Sequence, residues 1–518
     1  PAPVVAAGVA PAAAPAPMAY SSAPGAAVAY PGIVSQAARV PGARDHYRHN
    51  AANTVKSVAE DPVSTFSFDV DTSSYSNIRR FIRDGQRPPS DAVRIESMIN
   101  YFSYNYALPA SREKPFQPTV AVYPSPFRPG AELLHIGVKT WDKSANQRPK
   151  ANLVFLVDVS GSMQGSDRID LLQSAFNMLT DQLRDDDKVS IVTYANGVAT
   201  TLPPTPGSEK AVIHAAINAL GVGGGTYGSG GLEMAYEVAR RNFDSDAVNR
   251  VMLATDGDFN VGISDSGQLE RFIKDQRHSG IYLSVLGVGR GNWNDALAHR
   301  LAQVGNGNSA YLDSIDEAHK VLVDELSSTV VPVADDVKVQ VEFNPAKVAE
   351  YRLIGYESRM LRAEDFKDDT VDAGEIGAGK AVTALYEVVP VKSAANRLEP
   401  SRYGSKGKAG SKPAEVSQNS SETAFLRIRY KLPGEKTSRL IERPITGFDS
   451  LPAIEDASAD IRFAAAAAGF GMKLRGDSDM AATSWQDLAK LADGARGADP
   501  HGRRAELVRL MELSGHLR

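Results

Sequence analysis

The 518-residue chain contains no cysteine. That single absence removes disulfides, thiolate metal sites and thiol nucleophiles together. It leaves the compartment open, because a large domain can do without disulfides outside the cytosol as well. Long apolar runs are also missing. Nothing approaches the roughly 20 residues that span a bilayer, and the alanine-rich run at 463–470 is much too short. There is no excess of positive charge: 57 Lys and Arg face 62 Asp and Glu, a net −5, so no basic face for nucleic acid is expected. The nine histidines are scattered and form no His-Glu-x-x-His pair, and neither a Gly-x-Ser-x-Gly elbow nor a Gly-Lys-Ser/Thr phosphate loop occurs. Pro1 is not followed by a basic then apolar leader, so no signal peptide is read here.

What is present sorts into six stretches. Residues 1–60 are dominated by Ala, Pro, Val, Gly and Ser without periodicity, and read as a disordered tether. Residues 61–110 begin with an alternating strand at 64–71. One helix stripe follows with Tyr75, Ile78, Phe81 and Ile82, stopped by Gly85, and a second with Val93, Ile95, Met98, Ile99 and Phe102 after Pro88-Pro89-Ser90. This predicts a small helical module. Residues 111–150 hold strands at 119–123 and 133–138.

Residues 151–330 alternate strands (153–157, 189–194, 250–254, 281–288, 309–312) with helices (169–183, 210–220, 230–241, 267–275, 293–304, 315–327). Such alternation predicts an α/β fold, a doubly wound, mostly parallel sheet covered on both faces. Residues 331–450 return to β character, with clean alternation at 337–343 and 424–430 around a polar loop at 391–421. Residues 451–518 read as helices. Strands on the two sides of the α/β unit are candidates to pair with each other, as one sandwich into which that unit is inserted.

The sharpest signal is Phe155-Leu-Val-Asp158-Val-Ser160-Gly-Ser162-Met163, an apolar strand ending in Asp with hydroxyls at alternate positions beyond it. Ligands of open parallel sheets bind past the carboxyl ends of the strands. Two more pieces belong at the same edge: Gly223-Gly-Gly-Thr226, and Val251-Met-Leu-Ala-Thr255-Asp256-Gly257. Hydroxyls and carboxylates are hard oxygen donors suited to Mg²⁺, Mn²⁺ or Ca²⁺. With few carboxylates on the ion, its charge is incompletely neutralised and attracts an outside anionic oxygen. Taken singly, Asp158 could cap a helix and the serines could be turn residues; three pieces in order argue otherwise.

These motifs resemble the metal-ion-dependent adhesion site of von Willebrand factor type A (VWA) domains, a Rossmann-like fold. The resemblance implies that Asp158, Ser160, Ser162, Thr226 and Asp256 hold a divalent metal, with Mg²⁺ the first candidate. It further implies that an Asp or Glu of a protein partner completes the shell. Tyr227, Met163 and Phe259 lie in the same loops as candidates for its rim. The flanks, Phe68-Asp-Val-Asp-Thr-Ser-Ser-Tyr-Ser-Asn77 and residues 89–102, resemble a bacterial cell-envelope subfamily with a C-terminal region of unassigned function. Some of its members read as lipoproteins, which would put a lipidated cysteine upstream of Pro1.

The expectation is therefore a non-enzymatic binding module of the cell envelope. The alternatives are a structural or assembly factor, a cofactor subunit of an ATPase system, or a metal-dependent hydrolase. His278 and His299 are the nearest histidines for water activation, on helices whose register does not place them. Gly223-x-Gly-x-x-Gly228 follows a helix rather than a first strand, so it is not a dinucleotide loop. Asp71 and Thr72 are read as the cap of the next helix, and Asp185-Asp-Asp187 as a solvated turn. The cluster Asp365, Asp368, Asp369, Asp372 and Glu375 has no EF-hand spacing.

Overall fold

A computed structural model describes residues 45–68, 71–109, 111, 113–141, 149–225, 228–257, 266–325, 331–371, 373–399 and 421–517. The expected tether, apart from its last residues, lies outside them, as does most of the loop at 391–421. The Lys150–Asp158 strand runs through the middle of a six-stranded sheet. On one side lie Lys188–Tyr194 and then Val198–Pro206; on the other lie Ala247–Thr255, Ile281–Gly287 and Ser309–Tyr311. In sequence order this is 3-2-1-4-5-6, the doubly wound arrangement. All pairings are parallel except that of Val198–Pro206 with its neighbour.

The continuous apolar run of the central strand now has its cause: both its faces are covered. Leu153, Phe155 and Val157 pack under helices Ile169–Asp181 and Lys210–Asn218 and under the last helix. Val154 and Leu156 pack under Gly228–Arg241, Ser266–His278 and Asp295–Val304. The Val198–Pro206 strand was missed because Pro203, Pro204 and Pro206 read as loop; at a sheet edge a missing N–H costs no ladder bond. The last helix is also shorter than 315–327. Regular α-helix covers Ile315–His319, then one wider π turn covers Lys320–Asp324.

The rest of this unit has three layers. One five-stranded sheet has the order Lys56–Ser57, Val348–Ile354, Ala381–Pro390, Glu132–Thr140, Phe116–Pro124. A second runs Met360–Leu361, Val63–Ser67, Pro332–Phe343, Glu422–Lys431, Arg439–Thr446, with Gly374–Gly377 added to Pro332–Phe343. Their inner faces share one core, including Phe66, Leu134, Ile136, Val341 and Tyr386. Each sheet joins strands from before and after the α/β domain: Val63–Ser67 pairs with Pro332–Phe343, and Glu132–Thr140 with Ala381–Pro390. The α/β domain is thus inserted into a β-sandwich.

The third layer is helical and corrects one expectation. Helices Ser73–Arg83 and Ile95–Asn100 form no separate N-terminal module. They share a core with Ala459–Arg475, Trp485–Asp493 and Arg503–Ser514, and with the outer face of the first sheet through Leu133 and Leu385. Helices of 11 and 6 residues cannot bury their stripes alone. Alanines 464–468 are fully buried in this layer, which explains the alanine-rich run.

Buried charges fasten the layers to the α/β domain. Arg79, on the Ser73–Arg83 helix, pairs with Asp313 and with Glu317 (2.8 Å) at the last helix, and with Glu506 (3.0 Å) on the final helix. It also donates to Tyr101 Oη at 2.9 Å. Arg79→Ala would strand buried carboxylates, so a loss of about 3–5 kcal/mol is expected, read as a lowered urea midpoint. His135 is fully buried against Tyr106, and neither ring nitrogen has a hydrogen-bond partner among the described residues. Burial pushes its imidazole down from 6.5 to about 3. The unfolded chain therefore takes up a proton near pH 6.5 that the folded chain refuses. Stability is level above that pH and falls below it, by about 2 kcal/mol at pH 5; His135→Phe should remove this component from the pH dependence of the unfolding free energy.

Candidate metal centre

Parallel pairing sets Val157 opposite Ala254. Asp158 and Asp256 therefore leave the sheet from adjacent strands, at the point where the strand order reverses. Both are buried, at 0% and 2% exposure. Asp158 folds the next residues back on itself: its Oδ1 accepts the Ser160 N–H at 2.8 Å. The Ser160 and Ser162 hydroxyls then lie 3.0 Å apart, Ser160 buried and Ser162 exposed. The Asp158 carboxyl is buried, and the Ser160 and Tyr194 hydroxyls lie against it. Burial pushes the Asp158 carboxyl up to about 6; the Ser160 N–H pulls against this and the charge of Asp256 adds to it.

The glycine loop is laid against the first loop by its backbone. Gly223 N donates to Val159 O at 2.8 Å, and Gly161 N to Gly224 O at 2.9 Å. Asn196, beyond the Lys188–Tyr194 strand, accepts the Gly225 N–H. Gly224 has φ +85°, and a Cβ there would run into Asn196, so only glycine fits. Thr226 and Tyr227 follow directly but lie outside the described residues, as does Phe259. The third loop turns at Gly257, φ +116°, with its backbone pressed on Asn292 and Trp293. Trp293 is held from the other side: its N–H donates to Asp45 Oδ1 at 2.9 Å and its carbonyl accepts the His46 N–H at 2.8 Å.

The described part of the centre thus offers two buried carboxylates and two hydroxyls. This donor set fits a hard divalent cation. Asp158, Ser160, Ser162 and Asp256 are brought to one edge of the sheet, and the loop leading to Thr226 is pinned beside them.

Comparison with known proteins identifies the families this chain matches. A model described as "von Willebrand factor type A domain" matches residues 153–258. One described as "von Willebrand factor" matches residues 41–135, and one described as "Uncharacterized protein YfbK, C-terminal" matches residues 328–517. The protein YfbK of Escherichia coli (strain K12) is 45% identical over 474 residues, 90% of this chain and 80% of that one. The chain belongs to the YfbK family. Inter-alpha-trypsin inhibitor heavy chain H2 of Mus musculus is 29% identical over 146 residues, 27% of this chain and 15% of that one. A solved von Willebrand factor type A structure from Catenulispora acidiphila is 15% identical with a TM-score of 0.41, covering 79% of this chain and 91% of that one.

In this YfbK-family protein the inserted α/β unit is the VWA domain; domains of this type commonly bind a divalent metal and serve in protein interactions. The stretch at 41–135 forms no second parallel sheet, since its described residues belong to the sandwich and the helical layer. Met163 is not a rim residue but is fully buried in the domain core. His278 ends the Ser266–His278 helix. His299 belongs to a buried cluster instead: it pairs with Asp71, and its Nε2 accepts from Arg359 at 3.1 Å, so Nδ1 carries the proton.

Asp71 is the hub of that cluster. Its Oδ1 accepts the Ser73 N–H at 2.9 Å as the helix begins, and its Oδ2 pairs with Arg94 at 3.1 Å, which also binds Asp295. Thr72 makes no side-chain cap bond. Asp185 and Asp186 are exposed as expected, whereas Asp187 is buried and accepts the Ala151 N–H at 2.8 Å. The acidic loop near Asp365 wraps a buried lysine: the Asp365 and Asp368 carbonyls accept from Lys338, and Asp369 pairs with Arg429 at 3.1 Å. Asp372 lies outside the described residues.

Sequence spacing singled out neither Asn196 nor Arg168, which lies 3.7 Å from Asp256; only the fold brings them to the centre. Asn196→Ala is expected to free the glycine loop. It should weaken divalent-ion uptake about tenfold, the loss of roughly one hydrogen bond's worth of positioning, with a melting temperature within a few degrees of the parent's.

Proposed function

We propose that this protein is a metal-dependent binding protein of the cell envelope and not an enzyme. Asp158, Ser160, Ser162, Thr226 and Asp256 hold a divalent cation, Mg²⁺ or else Mn²⁺ or Ca²⁺. A protein partner supplies an Asp or Glu carboxylate to that cation. The observation that carries this reading is Asp158, a buried carboxylate beside the paired Ser160 and Ser162 hydroxyls at the switch point of the sheet.

The bound cation supplies concentrated positive charge that attracts a carboxylate oxygen. The chain's own residues do the rest. The Ser160 N–H fixes the Asp158 carboxyl, burial keeps water from both carboxylates, and the backbone of the glycine loop is bonded to the first loop as far as Gly225. The histidines that a hydrolase would need are engaged elsewhere or lie at a helix end, which favours binding over water activation. The resemblance of the flanks to cell-envelope proteins supports the location. Among the described residues no helix is long and apolar enough to cross a membrane.

Calorimetric titration of Mg²⁺, Mn²⁺ and Ca²⁺ into the full chain should find one ion per chain. Asp158→Ala should abolish that uptake while circular dichroism stays unchanged. Undiminished uptake by the variant would sink the reading.

A further inference from the structure

Among the described residues, one cation, Arg168, stands at the margin of the candidate metal centre. Arg168 immediately precedes helix Ile169–Asp181, and its Nε lies 3.7 Å from Asp256 Oδ2. That N–H is buried and makes no hydrogen bond to a described residue. The stem of Arg168 crosses Gly289, φ +76°, where a Cβ would come within 2.8 Å of the Arg168 Cγ. Its far end is held as well: Nη2 donates to Arg290 O at 3.0 Å, and Nη1 to Asp167 Oδ1 at 3.2 Å. The side chain remains 22% exposed, against 2% for Asp256. The guanidinium therefore reaches from a buried carboxylate of the centre to the surface, with donors to spare.

Charge decides what such a residue does. A divalent ion balances Asp158 and Asp256, and Arg168 adds a positive charge; among the described residues its other carboxylate partner is the half-exposed Asp167, which Arg290 also approaches, at 4.0 Å. A fixed cation beside Asp256 competes for that carboxylate and repels an incoming ion. A centre built to hold an ion by itself gains nothing from it. A centre that must take up an ion together with an external anion does, because the anion relieves both positive charges at once.

Resting on the metal-centre reading above, we infer that Arg168 couples the ion to the partner's carboxylate. It holds ion affinity down when no anion is present, and it donates to the arriving carboxylate beside the ion. The partner group this selects has two acceptor oxygens and a negative charge, an Asp or Glu side chain. The amides of Asn and Gln offer one oxygen and no charge, so they are rejected.

The test is titration of Mn²⁺ into the full chain, alone and with saturating propionate or propionamide as side-chain probes. In the parent chain propionate should tighten Mn²⁺ binding at least about threefold and propionamide should not. Arg168→Gln should bind Mn²⁺ alone about fivefold tighter, in line with the removal of one nearby charge, and should no longer respond to propionate. Arg168→Lys keeps the charge and should keep the parent's weaker affinity for Mn²⁺ alone, which separates charge from packing. An Arg168→Gln protein that binds Mn²⁺ no tighter, or that still responds to propionate, overturns the role of Arg168. Equal uptake by the parent and Asp158→Ala instead overturns the metal reading on which it rests.

Discussion

The in-register parallel pairing of Lys150–Asp158 with Ala247–Thr255 is the constraint on which the rest depends. It ends two apolar strands side by side and leaves one carboxylate just beyond the ladder of each. Two like charges this close, both stripped of water, raise each other's energy unless a cation is near. Loop hydrogen bonds, the glycine backbone and a neighbouring guanidinium are all arranged about that electrostatic problem. The upward push on the Asp158 carboxyl comes first from its burial, with the charge of Asp256 a smaller addition.

The second organising fact is insertion. The VWA domain interrupts a sandwich whose sheets each close only when strands from the two flanks meet. Two chain connections alone would leave such a domain free to swing. Buried ion pairs hold it instead: Arg79 on Asp313 and Glu317, Arg94 on Asp295, and Lys380 at the first sheet on Glu325 past the last helix. Buried pairs of this kind contribute orientation more than net stability, because desolvation offsets most of their attraction. They make the metal centre part of one unit with the flanking layers.

Charge pairing also disposes of several apparent sites. The acidic loop near Asp365 turns its Asp365, Asp368 and Asp369 carbonyls to Lys338 and Lys431, and its Asp365 and Asp369 carboxylates pair with Arg362 and Arg429. Asp71 and His299 belong to the joint between the helical layer and the VWA domain. What distinguishes the metal centre from these is that its buried carboxylates sit beside hydroxyls and backbone, with a single guanidinium at the margin.

The chain's local pattern was enough to determine the α/β alternation, the covered parallel sheet and the four described ligand candidates. Each of these follows from periodicity within a few residues or from a motif on a strand end, where neighbours in sequence are neighbours in space. The Val198–Pro206 edge strand was illegible because its prolines forbid a central strand but not an edge one, and edge or centre is a property of the assembled sheet. The N-terminal helices read as a separate module because their stripes show that they bury something without showing what. Asn196, Arg168 and the fate of His299 were out of reach for the same reason: each acts on a residue 29 or more positions away. Local sequence therefore determined most of the elements that form in the α/β domain and which atoms could ligate. Only the tertiary structure decided which charges meet, because burial and pairing of charge are settled by packing between segments distant in the chain.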